Sequence, residues 1–259
     1  MLRQQALNAI ISNTIDQKIE LTESIPVDGL IDISIRYSTD KQLPGCEERP
    51  VLVHPHSLPK RSMTTLEGRA TLIHSLAHIE LNAVNLALDI VWRFAYMPEQ
   101  FYRDWIGVAK EEAYHFKLLR QHLQHLGYQY GDFPAHNGLW EMAEKTKEDI
   151  LARLALVPRT LEARGLDVTV PIRNKLLQAG DEKAATILDI ILNDEIKHVA
   201  IGNHWYNYVC QEKDIDPIGA YSSLAEKYSA PKLRGPFNIE ARRAAGFSDE
   251  ELAALKSIK

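Results

Sequence analysis

KEEAYHF (residues 110–116) and NDEIKHV (residues 193–199) each carry a Glu-x-x-His: Glu112 with His115, and Glu195 with His198. Each pair follows a lone glutamate at nearly the same distance. Glu80 in LAHIELNAV precedes Glu112 by 32 positions, and Glu162 in LEARGLDVT precedes Glu195 by 33. On a helix, positions i and i+3 share a face, so each pair can aim a carboxylate and an imidazole at one point. Four carboxylates and two imidazoles in two matched copies are the donor set that holds two iron or manganese ions in the core of a four-helix bundle. Four converging carboxylates are costly to bury without cations.

Glu80 reads as inward-facing, because Ile73, Ala77, Leu81 and Val84 share its helix face. The arms of the first helical hairpin match: about 16 residues separate Glu80 from the turn at Met97, and 14 separate Pro98 from Glu112. Both glutamates then lie roughly 21–24 Å from the turn at about 1.5 Å per residue. In the second half Glu162 lies 18 residues before Gly180, and Glu195 lies 14 after Asp181. Equal levels there require the third helix to break at Gly165–Pro171, which would open a pocket beside the metals. Metal-bound imidazoles usually donate their second N–H to a carboxylate, and Glu111 and Asp194 are the candidates, each for the histidine of the opposite motif. His74 and His78 do not share Glu80's face and read as interhelical hydrogen-bonding residues. Tyr114 reads as pointing away from the metals, and His54 and His56 as turn residues.

The flanking pattern is helical with irregular extensions. Residues 1–63 read as one amphipathic helix over 1–20, then an irregular stretch with Pro26, Pro44, Pro50, Pro55 and Pro59 and a short alternating run, Ile31, Ile33 and Ile35, of strand type. A helix opens at Thr64 with Glu67 as a capping box and runs to Met97. Pro98 starts the next, which Gly127 stops. A long helix is expected from Leu139 towards Arg164, kinked at Pro158, then a short helix over 172–179 and a long one to about Cys210. The bundle so defined covers 64–212, and 213–259 read as an extended strap ending in a short helix. All of it is taken as a single domain.

The 259 residues are 45% apolar and 25% charged, ordinary for a globular protein. A net charge of −5 gives no global basic field towards nucleic acid or anionic lipid. Cys46 and Cys210 are too few for a disulfide framework. No apolar run suits a secretory signal or a membrane span, so a cytoplasmic location is expected.

LAHIELNAV, KEEAYHF, GDFPAHNGLW, LEARGLDVT, NDEIKHVAIGNHW and FNIEARRAAGF, spread over roughly residues 70–247, resemble the ferritin-like di-iron carboxylate superfamily. Within it, the chain is most similar to a largely bacterial ferritin-like family known only as a domain of unknown function. The resemblance implies an all-α, ferritin-like four-helix bundle with Glu80, Glu112, His115, Glu162, Glu195 and His198 as ligands. It brings no established substrate. The ligand pattern also resembles that of the di-iron hydroxylase that modifies a tRNA base.

Hard oxygen donors with two imidazoles favour iron, manganese or a mixed pair. The expected chemistry is that of an oxidoreductase that uses O2 to oxidise or hydroxylate a small-molecule substrate, with an electron donor as a further partner. The alternatives are peroxide disproportionation or metal oxidation at the same ligands, and metal storage. Storage is disfavoured, because it needs little beyond the bundle and these extensions suit a substrate pocket. An RNA substrate is the weaker alternative, since it requires Lys232, Arg234, Arg242 and Arg243 to join others such as Arg159 and Arg164 in one basic patch.

Overall fold

A computed structural model describes residues 1–58 and 62–257, so Pro59 lies outside the described residues. Among these residues the regular structure is helical, apart from one isolated parallel bridge between Leu52 and Ala135. The chain divides into two compact units, Met1–Trp140 and Glu141–Lys259.

The first unit is built on two long helices, α3 (Leu66–Arg93) and α4 (Glu99–His125), which pack against each other. Thr65, one residue later than expected, caps α3 by accepting from the Gly68 N–H at 3.1 Å. Pro98 is the cap of α4 rather than its first residue. The tight link between them is held by Tyr102, whose hydroxyl accepts from the Met97 N–H at 3.1 Å and donates to the Phe94 carbonyl at 2.9 Å. Gly127, at φ +85°, closes α4 in the left-handed conformation that glycine adopts without strain.

The amino-terminal helix is in fact two, α1 (Leu2–Ile10) and α2 (Ile15–Ser24). The Glu47 carboxylate accepts from the Ile15 N–H at 2.8 Å, which gives α2 its own start. Arg3 on α1 is fully buried and donates to the carbonyls of Val91 (3.1 Å) and Trp92 (2.8 Å). Those groups lie at the carboxyl end of α3, where carbonyls lack intrahelical partners, so one helix caps another. Ile31, Ile33 and Ile35 form no strand. The Ile33 carbonyl accepts from the Tyr96 N–H and the Ile35 carbonyl from Arg3, which satisfies the backbone without a ladder.

In the second unit the expected helix from Leu139 to Arg164 is interrupted. α5 (Gly138–Lys145), which begins just before the unit boundary, stops ahead of Asp149. The Asp149 side chain accepts from the Leu151 and Ala152 N–H groups and starts α6 (Ile150–Leu156) afresh. At Pro158 the chain departs from the α-helix as expected, but as a π-helical segment, Val157–Glu162. A side chain at Gly202 would collide with the Pro158 ring at 2.7 Å, so that glycine lets the segment seat against the following long helix.

The expected break at Gly165–Pro171 does not occur. α7 (Ala163–Gln178) runs unbroken through Pro171, and 172–179 is its last part rather than a separate helix. An interior proline costs roughly 3 kcal/mol. The cost is offset by a buried stripe, Ala163, Leu166 and Asp167, at helical spacing. Ala163 and Leu166 share a core with Val199, Ala241, Ala245, Phe247, Leu252 and Leu255. Asp167 accepts from Arg242 at 2.9 and 2.7 Å and from the Asn238 N–H at 3.0 Å. Gly180 (φ +79°) turns the chain into α8 (Glu182–Glu212), capped by Asp181. The expected carboxyl-terminal strap is more helical than its sequence suggests: α9 (Pro217–Lys227), α10 (Ile239–Ala244) and α11 (Asp249–Ser257). No helix among the described residues is long and apolar enough to cross a membrane.

Candidate metal centre

Five of the six expected ligands lie on long helices, Glu80 on α3, Glu112 and His115 on α4, and Glu195 and His198 on α8, while Glu162 lies in the π segment. On α3, Ile73, Ala77, Leu81 and Val84 are buried together with Glu80, as the face analysis requires. On α4, Glu112 and His115 are buried beside Ala109, Phe116 and Leu119. Glu80, Glu112 and His115 each offer a donor atom, all within 4.8 Å of one another. His115 Nδ1 lies 3.3 Å from an oxygen of each glutamate.

This grouping shifts the ionisation of its members in opposite senses. Burial raises Glu80, and the neighbouring charge of Glu112 adds to it, taking Glu80 up to about 8. Burial draws the His115 ring down, but hydrogen bonds to Glu112 and Glu80, together with their charge, outweigh it and hold the ring up at about 11. Without a cation, the trio therefore retains protons between its donors. A metal ion bound there would displace them, because imidazole and carboxylate ligate in their deprotonated forms. A buried set of two carboxylates and one imidazole fits a transition metal in its donor chemistry.

In the second unit, Glu195 and His198 repeat the pair on α8. Both are buried, with His198 Nδ1 3.4 Å from Glu195 Oε2. Glu162 is the last residue of the π segment and is half-buried. Within this unit no three donors gather as tightly as the first trio, among the described residues. The reason follows from the unbroken α7. Gly165 lies 15 residues before Gly180 and Glu195 lies 14 after Asp181, so equal arms bring Gly165 to Glu195's level, with Glu162 one turn beyond. A Cβ at Gly165 would touch the Glu195 side chain at 3.5 Å, an ordinary contact. Gly165→Ala is therefore expected to be tolerated and to stabilise α7 by about 0.5–1 kcal/mol, the usual gain over glycine. Gly165→Leu should push Glu195 aside and lower metal content. Thermal denaturation and elemental analysis of both variants check the pair of outcomes.

The surrounding expectations fare unevenly. Glu111 and Asp194 are both half-buried, and Asp194 accepts from Lys197 at 2.9 Å on its own helix. His74 and His78 bond to the connection after α4: the Gly131 N–H donates to His74 Nε2 at 2.9 Å, and His78 Nδ1 lies 2.7 Å from the Tyr130 hydroxyl. Burial lowers His78 to about 4, so its ring is neutral. Tyr114 is exposed, as are His54 and His56 in their turn. Of the residues named for a basic patch, Arg159 and Arg242 are buried in ion pairs, with Glu251 and Asp167, whereas Arg164 is partly exposed and donates to the Arg234 carbonyl at 2.6 Å. Sequence reading missed that burial. A lone arginine in an apolar stretch is its only trace.

No solved structure matches this chain. It is 50% identical over 219 residues to a protein of Haemophilus influenzae described as an uncharacterized protein, covering 82% of this chain and 76% of the relative. The family described as "Protein of unknown function (DUF455)" matches residues 6–253, nearly the whole length. The chain belongs to that family.

Proposed function

We propose that the protein is a dinuclear metal oxidoreductase, with Glu80, Glu112, His115, Glu162, Glu195 and His198 holding two iron ions, two manganese ions or one of each. The observation that carries the reading is the buried trio Glu80, Glu112 and His115, gathered within 4.8 Å. Its sequence counterpart in the second unit keeps the same i, i+3 geometry, 3.4 Å against 3.3 Å. Three buried carboxylates, Glu80, Glu112 and Glu195, are costly in an apolar core unless cations neutralise them. In this reading Glu162 reaches the metals from the π segment.

The metals, when bound, would supply redox chemistry with O2 or peroxide. The chain's own residues have narrower tasks. The carboxylates balance the cations' charge, the two imidazoles complete the donor set, and Glu111 and Asp194 orient those imidazoles. The apolar stripes on α3 and α4 keep water from the donors.

Elemental analysis of protein purified without added metal, paired with O2 and peroxide consumption assays, tests the reading. Two metal atoms per chain with substrate-dependent O2 uptake are expected. Rapid peroxide disproportionation with no O2 uptake would favour the alternative use of the same ligands, and a metal-free protein that cannot be loaded would end both.

A further inference from the structure

The π segment carries a second buried functional group, which the metal reading does not use. Arg159 is 4% exposed. Its guanidinium lies over the rings of Tyr206, Tyr221 and Phe247, 4.6–5.6 Å from their centroids. Arg159 Nε has no hydrogen-bond partner among the described residues, and its terminal nitrogen pairs with the Glu251 carboxylate of α11. Beside it lies a cavity of about 240 Å³, otherwise walled mostly by apolar groups such as Ile218, Leu233, Phe247, Ala254 and Leu255.

We propose that this cavity is a binding site for a small organic monocarboxylate with a flat apolar body, whose carboxylate takes the place of Glu251 on Arg159. Glu251 shows what the guanidinium accepts: a carboxylate entering from the cavity side. It is also held elsewhere, because its other oxygen accepts from the Ser248 N–H at 2.8 Å in the capping box that opens α11. It can therefore leave Arg159 without unfolding its helix. A ligand that offers two parallel acceptors would satisfy Nε as well, which the tethered Glu251 does not.

The local charge selects a single negative charge. Arg242, also at the cavity wall, is already paired with Asp167 through Nε and Nη2, and Glu250 there repels further anionic groups. A ligand with one carboxylate restores the balance that Glu251 now provides, whereas a phosphate dianion would exceed it. The volume lies below the roughly 300–1,000 Å³ of sites for drug-sized ligands, which limits the body to about the size of one aromatic ring. The site involves second-unit residues alone and stands independently of the metal proposal.

Titration calorimetry of the full chain with phenylacetate, 2-phenylethanol and phenethylamine tests this, both as purified and after chelation. Saturable binding of phenylacetate alone is expected, unchanged by chelation and abolished by Arg159→Gln. Glu251→Gln keeps a side chain able to cap α11 but removes the internal competitor, so it should tighten phenylacetate about tenfold, as relief of a competing bound state does. Equal binding of the neutral alcohol, binding lost on chelation, or an unchanged affinity in Glu251→Gln would each overturn the proposal.

Discussion

Chelated Glu112→Gln protein should melt above chelated wild type, while its metal affinity falls by at least about 10–100-fold. The two effects have one origin. Glu112 is 2% exposed and shares a 4.8 Å neighbourhood with Glu80 and His115. In the absence of metal, that crowding makes the Glu112 charge oppose ionisation of buried Glu80, which is raised to about 8. Two acids share one imidazole there, so removing one of them relieves their mutual repulsion and leaves Glu80 and His115 as a one-to-one pair. Glutamine fills the same volume and can still accept from His115. With metal present the sign reverses, because loss of a direct ligand must cost at least as much as loss of a group behind one, itself worth about 10–100-fold. Competition with a graded chelator and thermal melts of both states would measure this. Full metal occupancy in the variant would show that Glu112 is no ligand. A lower melting temperature in the chelated state would instead make the trio a structural hydrogen-bond network.

Arg242→Met should lower the stability of the second unit by about 3–5 kcal/mol, the usual penalty for orphaning one member of a buried pair. Asp167 would be left with a charged carboxylate at 0% side-chain exposure, holding the Asn238 N–H and a distant 3.5 Å contact from Arg164. In a chain of this size that corresponds to a fall of roughly 6–20 °C in melting temperature. The double variant Asp167→Asn with Arg242→Met removes the stranded charge and should recover a large part of the loss. If the double variant is as unstable as the sum of its parts, the pair is not coupled and the helix through Pro171 is held by its apolar stripe alone.

The same pair explains where reading the sequence succeeded and where it failed. Glu80, Glu112 and His115 were legible because helical periodicity is local: a glutamate flanked at i−7, i−3, i+1 and i+4 by apolar residues must enter the core with them. The turn at Gly127 was legible for a similar reason, since a glycine at the end of a periodic run is a strong stop. The segment from Gly165 to Pro171 was not. Its glycine, valines, threonine and proline all lower helix propensity, and each penalty is visible in sequence. What outweighs them is Asp167 against Arg242, 75 positions away, together with a core assembled from α7, α8, α10 and α11. Nothing within reach of a local window announces such a partner.

The sequence by itself therefore determined the all-helical class, the two matched donor pairs and the inward face that carries Glu80, all of which follow from residue spacing along single helices. Only the tertiary structure decided that the irregularity falls before Glu162 rather than after it, that Gly165 meets Glu195, and that Arg159 lies buried beside a cavity instead of on a basic face. Those outcomes depend on contacts between distant segments, where a proline ring against Gly202 or a guanidinium against a carboxylate outweighs the backbone's local preference.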